Sequence, residues 1–214
     1  YFYRQIMGNH SQVGIVACSS VDDYDNNVIK KHEHTRKVKE DDRARHVDTL
    51  NANAGPVFLT YKHTPELDKI TADVIAKEPA VDFKSTDGVQ HTLWIVKDNE
   101  TIEKIRDEFN KIESLYVADG HHRSASGSRV RKIRMEKNPN HTGKEEYNFF
   151  LSVNFPDNQL NILDYNRLVK DLNGNTTEEF LEKIKVKFDV EEIGSEIFKP
   201  TNQKEFGMYL DKKW

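Results

Sequence analysis

One stretch, Leu115–Arg129 (LYVADGHHRSASGSR), constrains the fold more than any other part of the chain. A short apolar run ends on Asp119, Gly120 permits a tight turn, and the residues from His121 onward suit a helix. The pattern predicts strand–turn–helix. A helix N-terminus exposes free N–H groups and about half a positive charge, which suits phosphate. His121, His122 and Arg123 add side-chain donors at the same place, and arginine can grip phosphate oxygens in a bidentate way. Ser124, Ala125, Ser126 and Gly127 are small, so a ligand or a second backbone can approach closely. Asp119 can hold a divalent ion or orient a neighbouring histidine. The plainer alternative is a junction whose aspartate caps the helix and whose histidines face solvent. Four polar groups converging on a helix start favour the anion site.

Around this segment helices alternate with strands, which indicates α/β or mixed α+β architecture. Tyr1–Met7 and Gln12–Ser19 read as a hairpin across Gly8–Ser11. Val21–Glu40 is polar and without period. Lys39–Asn53 reads as a helix with Ala44, Val47, Leu50 and Ala54 as its apolar stripe. Val57–Tyr61 is a strand, and Thr64-Pro65-Glu66 starts a helix running to Lys77. Strands at Ala80–Ser85 and Val89–Val96 flank a turn, and Asn99–Ile112 is amphipathic. After the loop Asn138–Glu145, Tyr147–Asn154 and Leu160–Asp164 read as paired strands, Thr177–Lys187 as a last helix, and the closing FGMYLDKKW as a strand. No linker or repeat is visible, so one domain over residues 1–214 is expected. Strand-like runs at both ends suggest a piece of a longer chain.

The net charge of −4, from 32 basic and 36 acidic residues, argues against a protein built to coat nucleic acid but allows a local basic patch. No apolar run approaches the ~20 residues of a membrane span, and no signal peptide is visible. The single cysteine, Cys18, lies in an apolar run and reads as a small core residue. These features predict a cytoplasmic protein acting on a small molecule, with neither membrane nor nucleic acid as partner.

A second segment carries charge of both signs: Lys30–His46 (KKHEHTRKVKEDDRARH). A solvated face is the ordinary reading of such a run. On a helix, however, Lys39, Arg43 and His46 share one side and could clamp a polyanion. Ahead of that helix, Glu33 sits among Lys31, His32 and Arg36, where a carboxylate could act as general base toward an alcohol. Zinc is the rival chemistry, with His32, His34, His46, His121, His122 and Asp119 as possible ligands. Against it, H-E-H lacks the spacing of a helical H-E-x-x-H site and no cysteine pair exists. Magnesium on Asp119 and substrate phosphates is the better expectation.

The string ADGHHR followed by small residues resembles the phosphate or nucleotide loop of the ParB/sulfiredoxin-like superfamily, which includes free-serine kinases. Taken with YRQIM, SVDDYDNNVIKKHEHTR, KEDDRARH, NAGPVFLTY, EYNFFL and YNRLVKDLNG, the whole chain resembles the bacterial and archaeal domain of unknown function 1015 family. That resemblance implies a phosphotransferase between pyrophosphate, or a nucleotide, and the hydroxyl of a small acceptor such as L-serine. Gly120, His121, His122 and Arg123 would then cradle donor phosphates, with Lys31, Arg36 and Arg43 neutralising the transferring group and His46 adding positive charge. Glu33 would take the acceptor proton, with His32 and Arg36 beside it, and Asp119 would hold magnesium. A ParB-like nucleotide switch with a nucleic-acid partner is the alternative, resting on the basic helix after Arg129.

Overall fold

Gly8 takes a left-handed conformation (φ 59°), so β1 (Phe2–Met7) turns back on β2 (His10–Ser20) through only Gly8 and Asn9. Ser20 caps the short α1 (Val21–Asp25), and β3 (Ile29–Lys30) follows within the stretch that looks featureless in sequence. Next come α2 (Lys37–Leu50) and β4 (Val57–Tyr61). The Thr64 hydroxyl accepts from the Leu67 N–H, 3.3 Å, and Pro65 opens α3 (Pro65–Ile75), as its sequence demands. The hairpin β5 (Val81–Lys84) and β6 (Gln90–Trp94) leads to α4 (Asn99–Phe109), capped by Asp98. The segment β7 (Leu115–Asp119), Gly120, α5 (His121–Lys137) matches the strand–turn–helix pattern, and β8 (Phe149–Pro156) is the last strand. A final helix is α6 (Thr177–Lys185).

The computed structural model describes residues 1–214, and these form two compact units, Tyr1–Ile162 and Leu163–Trp214, where the sequence pattern suggests one domain. The first unit is mixed α/β. Its eight-stranded sheet has the order β3-β7-β4-β8-β2-β1-β6-β5. Strand β4 runs parallel to β8 and antiparallel to β7, while β3 pairs parallel with β7. A row of directly opposed residues crosses the sheet: Trp94, Phe2, Ile15, Asn154, Leu59 and Val117. Every one of them is buried. Opposed residues point to the same face, so this row marks the side on which the helices pack. Leu67 and Val74 of α3 and Ile105 and Phe109 of α4 cover one half. Val21 and Tyr24 of α1 and Ala125 of α5 cover the other.

On the opposite face Gly14 lies against Val153 and Phe155, and Phe155 packs on Phe58 with ring centroids 4.8 Å apart. Cys18, expected in the core, is exposed. Among the stripe residues expected for α2, only Ala44 is buried and Leu50 is 54% exposed. No helix is long and apolar enough to cross a membrane.

The second unit holds α6, whose start carries a reciprocal capping box between Thr176 and Glu179. Beyond it Phe188 meets Phe206 edge-on, and the Trp214 N–H donates to the Gly194 carbonyl, 2.7 Å. The strands expected at Leu160–Asp164 and in FGMYLDKKW are absent; Leu210 and Lys213 form only an isolated bridge.

Candidate functional site

A groove of about 1010 Å³ opens beside the β7–α5 junction. Its walls are α2, through Lys39, Arg43 and His46, the loop Asn53–Gly55, and the first turn of α5, with Glu33 at its rim. The left-handed backbone of Gly120 makes the junction possible. Its φ is 102°, and a Cβ there would meet Nε of Arg123 at 3.1 Å. No side chain caps α5, which leaves first-turn N–H groups without the usual partner. The Ser124 N–H already returns to the Gly120 carbonyl, 2.9 Å, so the helix is closed from its first turn.

The side chains expected at this site divide into two sets. Glu33, Arg43, His46, Asp119, Gly120, His121, His122 and Arg123 line one groove, as the sequence reading requires. Lys31 does not join them: its ammonium donates to the Tyr24 carbonyl, 2.6 Å, and lies 4.0 Å from the centre of the Tyr24 ring. Arg36 caps α2 through its backbone, and its N–H donates to Nε2 of His122, 3.2 Å. Arg123 is partly spoken for, since its guanidinium bonds Asp119 and the Pro56 carbonyl.

His121 is 4% exposed. Its Nδ1 lies 3.5 Å from Oε2 of Glu33, and its Nε2 faces the His32 N–H at 3.5 Å. A neutral ring carrying its proton on Nδ1 satisfies both contacts. Burial, and secondarily the neighbouring His32, hold His121 below its ordinary value of 6.5, outweighing Glu33 and Asp119. His32, Glu33 and His121 also bring potential metal-ligand atoms within 4.8 Å of one another. A metal on Nδ1 of His121 would force the proton onto Nε2, against the His32 N–H, so the arrangement suits a hydrogen-bonded imidazole better. Asp119 fits magnesium more readily: its side chain is 74% exposed and only Oδ2 is taken by Arg123.

The small residues of α5 turn out to serve packing. Ser126 donates to the His122 carbonyl one turn back, 2.5 Å, with its hydroxyl 3.4 Å from the Glu40 carbonyl of α2, Gly127 lies against Phe150, and Ser128 donates to Asp25, 2.6 Å. The arginines of the basic run that follows are paired with acids, while Lys132 stays exposed. Arg129 pairs with Asp41, Arg131 with Asp22 at 2.6 Å and Asp25 at 3.6 Å, and Arg134 with Asp48 at 2.8 Å. Sequence reasoning missed these partners because each acid lies on α1 or α2, far along the chain.

With one buried apolar residue, α2 meets α5 through the ion pairs Arg129–Asp41 and Arg134–Asp48, and charge is expected to contribute much of the attachment. Lys37 first, and Arg129 with it, keep the Asp41 carboxyl below its ordinary 3.8. A depressed carboxyl contributes stability above its unfolded value and loses it as pH falls through the lowered one. Raising salt from about 0.1 M to about 1 M shortens the Debye length from about 10 Å to about 3 Å. Amide exchange along α2 should therefore quicken in high salt and in acid, while β4 and β8 stay protected. Salt-insensitive protection of α2 would show that packing, not charge, holds it.

In this mixed α/β unit a groove lined by acids and bases together meets a helix start that no side chain caps, an arrangement able to take an anion. The chain belongs to the family described as Protein of unknown function (DUF1015), whose model matches residues 1–214. No curated protein and no solved structure matches the chain.

Proposed function

We propose that this protein is a phosphotransferase that moves phosphate between pyrophosphate, or a nucleotide, and the hydroxyl of a small acceptor, L-serine or phosphoserine. The observation that carries this reading is the placement of Glu33. Remote in sequence from the ADGHHR turn, its carboxylate stands on the same groove as the uncapped first turn of α5. Phosphoryl transfer needs little covalent chemistry from the protein; it needs positioned charge and a proton acceptor for the attacking alcohol. Donor phosphates would sit at Gly120–Arg123, where the helix start and Arg123, with Arg43 and His46 also lining the groove, supply the positive charge. Glu33 takes the acceptor proton. Magnesium held by Asp119 would neutralise donor oxygens. The likeness of the turn to ParB/sulfiredoxin-like phosphate loops points the same way.

The nucleic-acid alternative loses its main support, because Arg129, Arg131 and Arg134 are all paired with acids. The test is a donor–acceptor screen with magnesium, offering L-serine with pyrophosphate, ATP or ADP and following products by phosphorus NMR, with the reverse reaction alongside. Phosphoserine formed from one donor is the expected result. Absence of transfer in both directions, with phosphate still protecting the fold, would make the groove a binding site without chemistry.

A further inference from the structure

The segment between β3 and α2 has no regular structure, yet it presents Glu33 to the groove. Its backbone is tied at two points, one on each side of Glu33. The His32 N–H points to Nε2 of His121, 3.5 Å, and the Arg36 N–H donates to Nε2 of His122, 3.2 Å. Between them the Thr35 hydroxyl donates to the Glu40 carboxylate of α2. Both imidazoles come from the first turn of α5, where successive side chains diverge by roughly 100° around the axis. Adjacent histidines can thus reach two separated points of one loop.

The Nε2 of each ring, accepting an N–H, is not available as a donor to phosphate, so each ring keeps only Nδ1–H for that purpose. His121 is further withdrawn by its burial, its edge-on contact with the His32 ring at 4.4 Å, and the approach of its Nδ1 to Glu33. We propose that His121 and His122 are positioning residues: they clasp the backbone on either side of Glu33 and fix its carboxylate relative to the first turn of α5. The free N–H groups of that turn, with Arg43 and Arg123, then supply the donors to phosphate. The inference rests on the reading of Glu33 as the base, but the clasp itself is testable without turnover.

Two substitutions in the full chain separate the roles. His122→Gln keeps an acceptor near the place of Nε2, whereas His122→Leu keeps bulk and removes it. In His122→Leu, exchange of the Arg36 amide should quicken by about tenfold or more, followed by NMR, as expected when a local tie is released. Turnover with the donor and acceptor found active should fall about 10- to 100-fold, the cost of a displaced catalytic group. The donor KM should stay within about threefold, and His122→Gln should recover both properties. Should His122→Leu fail to fold, His122→Thr, too short to reach the Arg36 N–H, is read in its place. Unchanged Arg36 exchange in the folded variant would overturn the clasp, as would a donor KM raised about tenfold at constant kcat, the signature of a lost ligand. If the chain transfers no phosphate at all, the phosphotransferase reading fails alone and the amide exchange still decides the clasp.

Discussion

Replacing Glu33 with glutamine should lower turnover by about 10²- to 10⁴-fold, the range a general base contributes, while leaving phosphate affinity nearly unchanged. Glutamine keeps the shape and can still approach Nδ1 of His121, so the loop should hold its place. The side chain is 61% exposed, and no apolar packing depends on it. What disappears is the capacity to take a proton. Binding of pyrophosphate by calorimetry and turnover by phosphorus NMR, measured on the same preparation, separate the two properties. Full turnover in the glutamine variant would remove Glu33 from the chemistry. Loss of binding and turnover together would recast it as part of the scaffold of the anion site.

The largest effect on stability should come from Gly14→Val. A Cβ at Gly14 would stand 2.7 Å from Cγ1 of Val153 and 2.9 Å from the Phe155 ring. Neither neighbour can swing clear: Val153 is 7% exposed, Phe155 is 2% exposed, and the Phe155 ring packs tilted against Phe58. Overpacking of this kind costs about 1–3 kcal/mol for one inserted group, and valine adds two methyls more, so about 3 kcal/mol or greater is expected. Denaturant unfolding of Gly14→Val and Gly14→Ala measures it. Combining Gly14→Ala with Phe155→Leu should restore part of the loss, since the two sites share one space. Strict additivity would mean that the strain lies in the backbone instead.

The sequence disclosed those parts of this protein whose causes are local. Thr64-Pro65 announces α3 and Gly120 announces α5 because cap and turn chemistry act within a few residues. Asp119–Arg123 is one continuous turn and Arg43 and His46 share a helix face, so these groupings were legible, whereas the approach of Glu33 and α2 to that turn depends on long-range packing. What stayed hidden depends on partners far along the chain. Strand β3 is only Ile29–Lys30 and exists because β7 pairs with it. Leu160–Asp164 has the alternation of a strand but no neighbour to complete it. The supposed apolar stripe of α2 misled because that helix is fastened by Asp41 and Asp48 to arginines of α5. Lys31 looked like a phosphate ligand until Tyr24, seven residues earlier, claimed it.

The place of β8 bears on how the chain reaches this state. Strands β5, β6, β1 and β2 form one run of pairings and β4, β7 and β3 another, and β8 alone joins them. The joining strand is also the last in sequence. During synthesis, both part-sheets can assemble while β2 and β4 each still show an open edge. Such edges invite pairing with other chains, and closure over so long a separation is slow. The window before Phe149–Pro156 inserts is therefore the time at which this protein is most exposed to aggregation, and at which a chaperone would matter most.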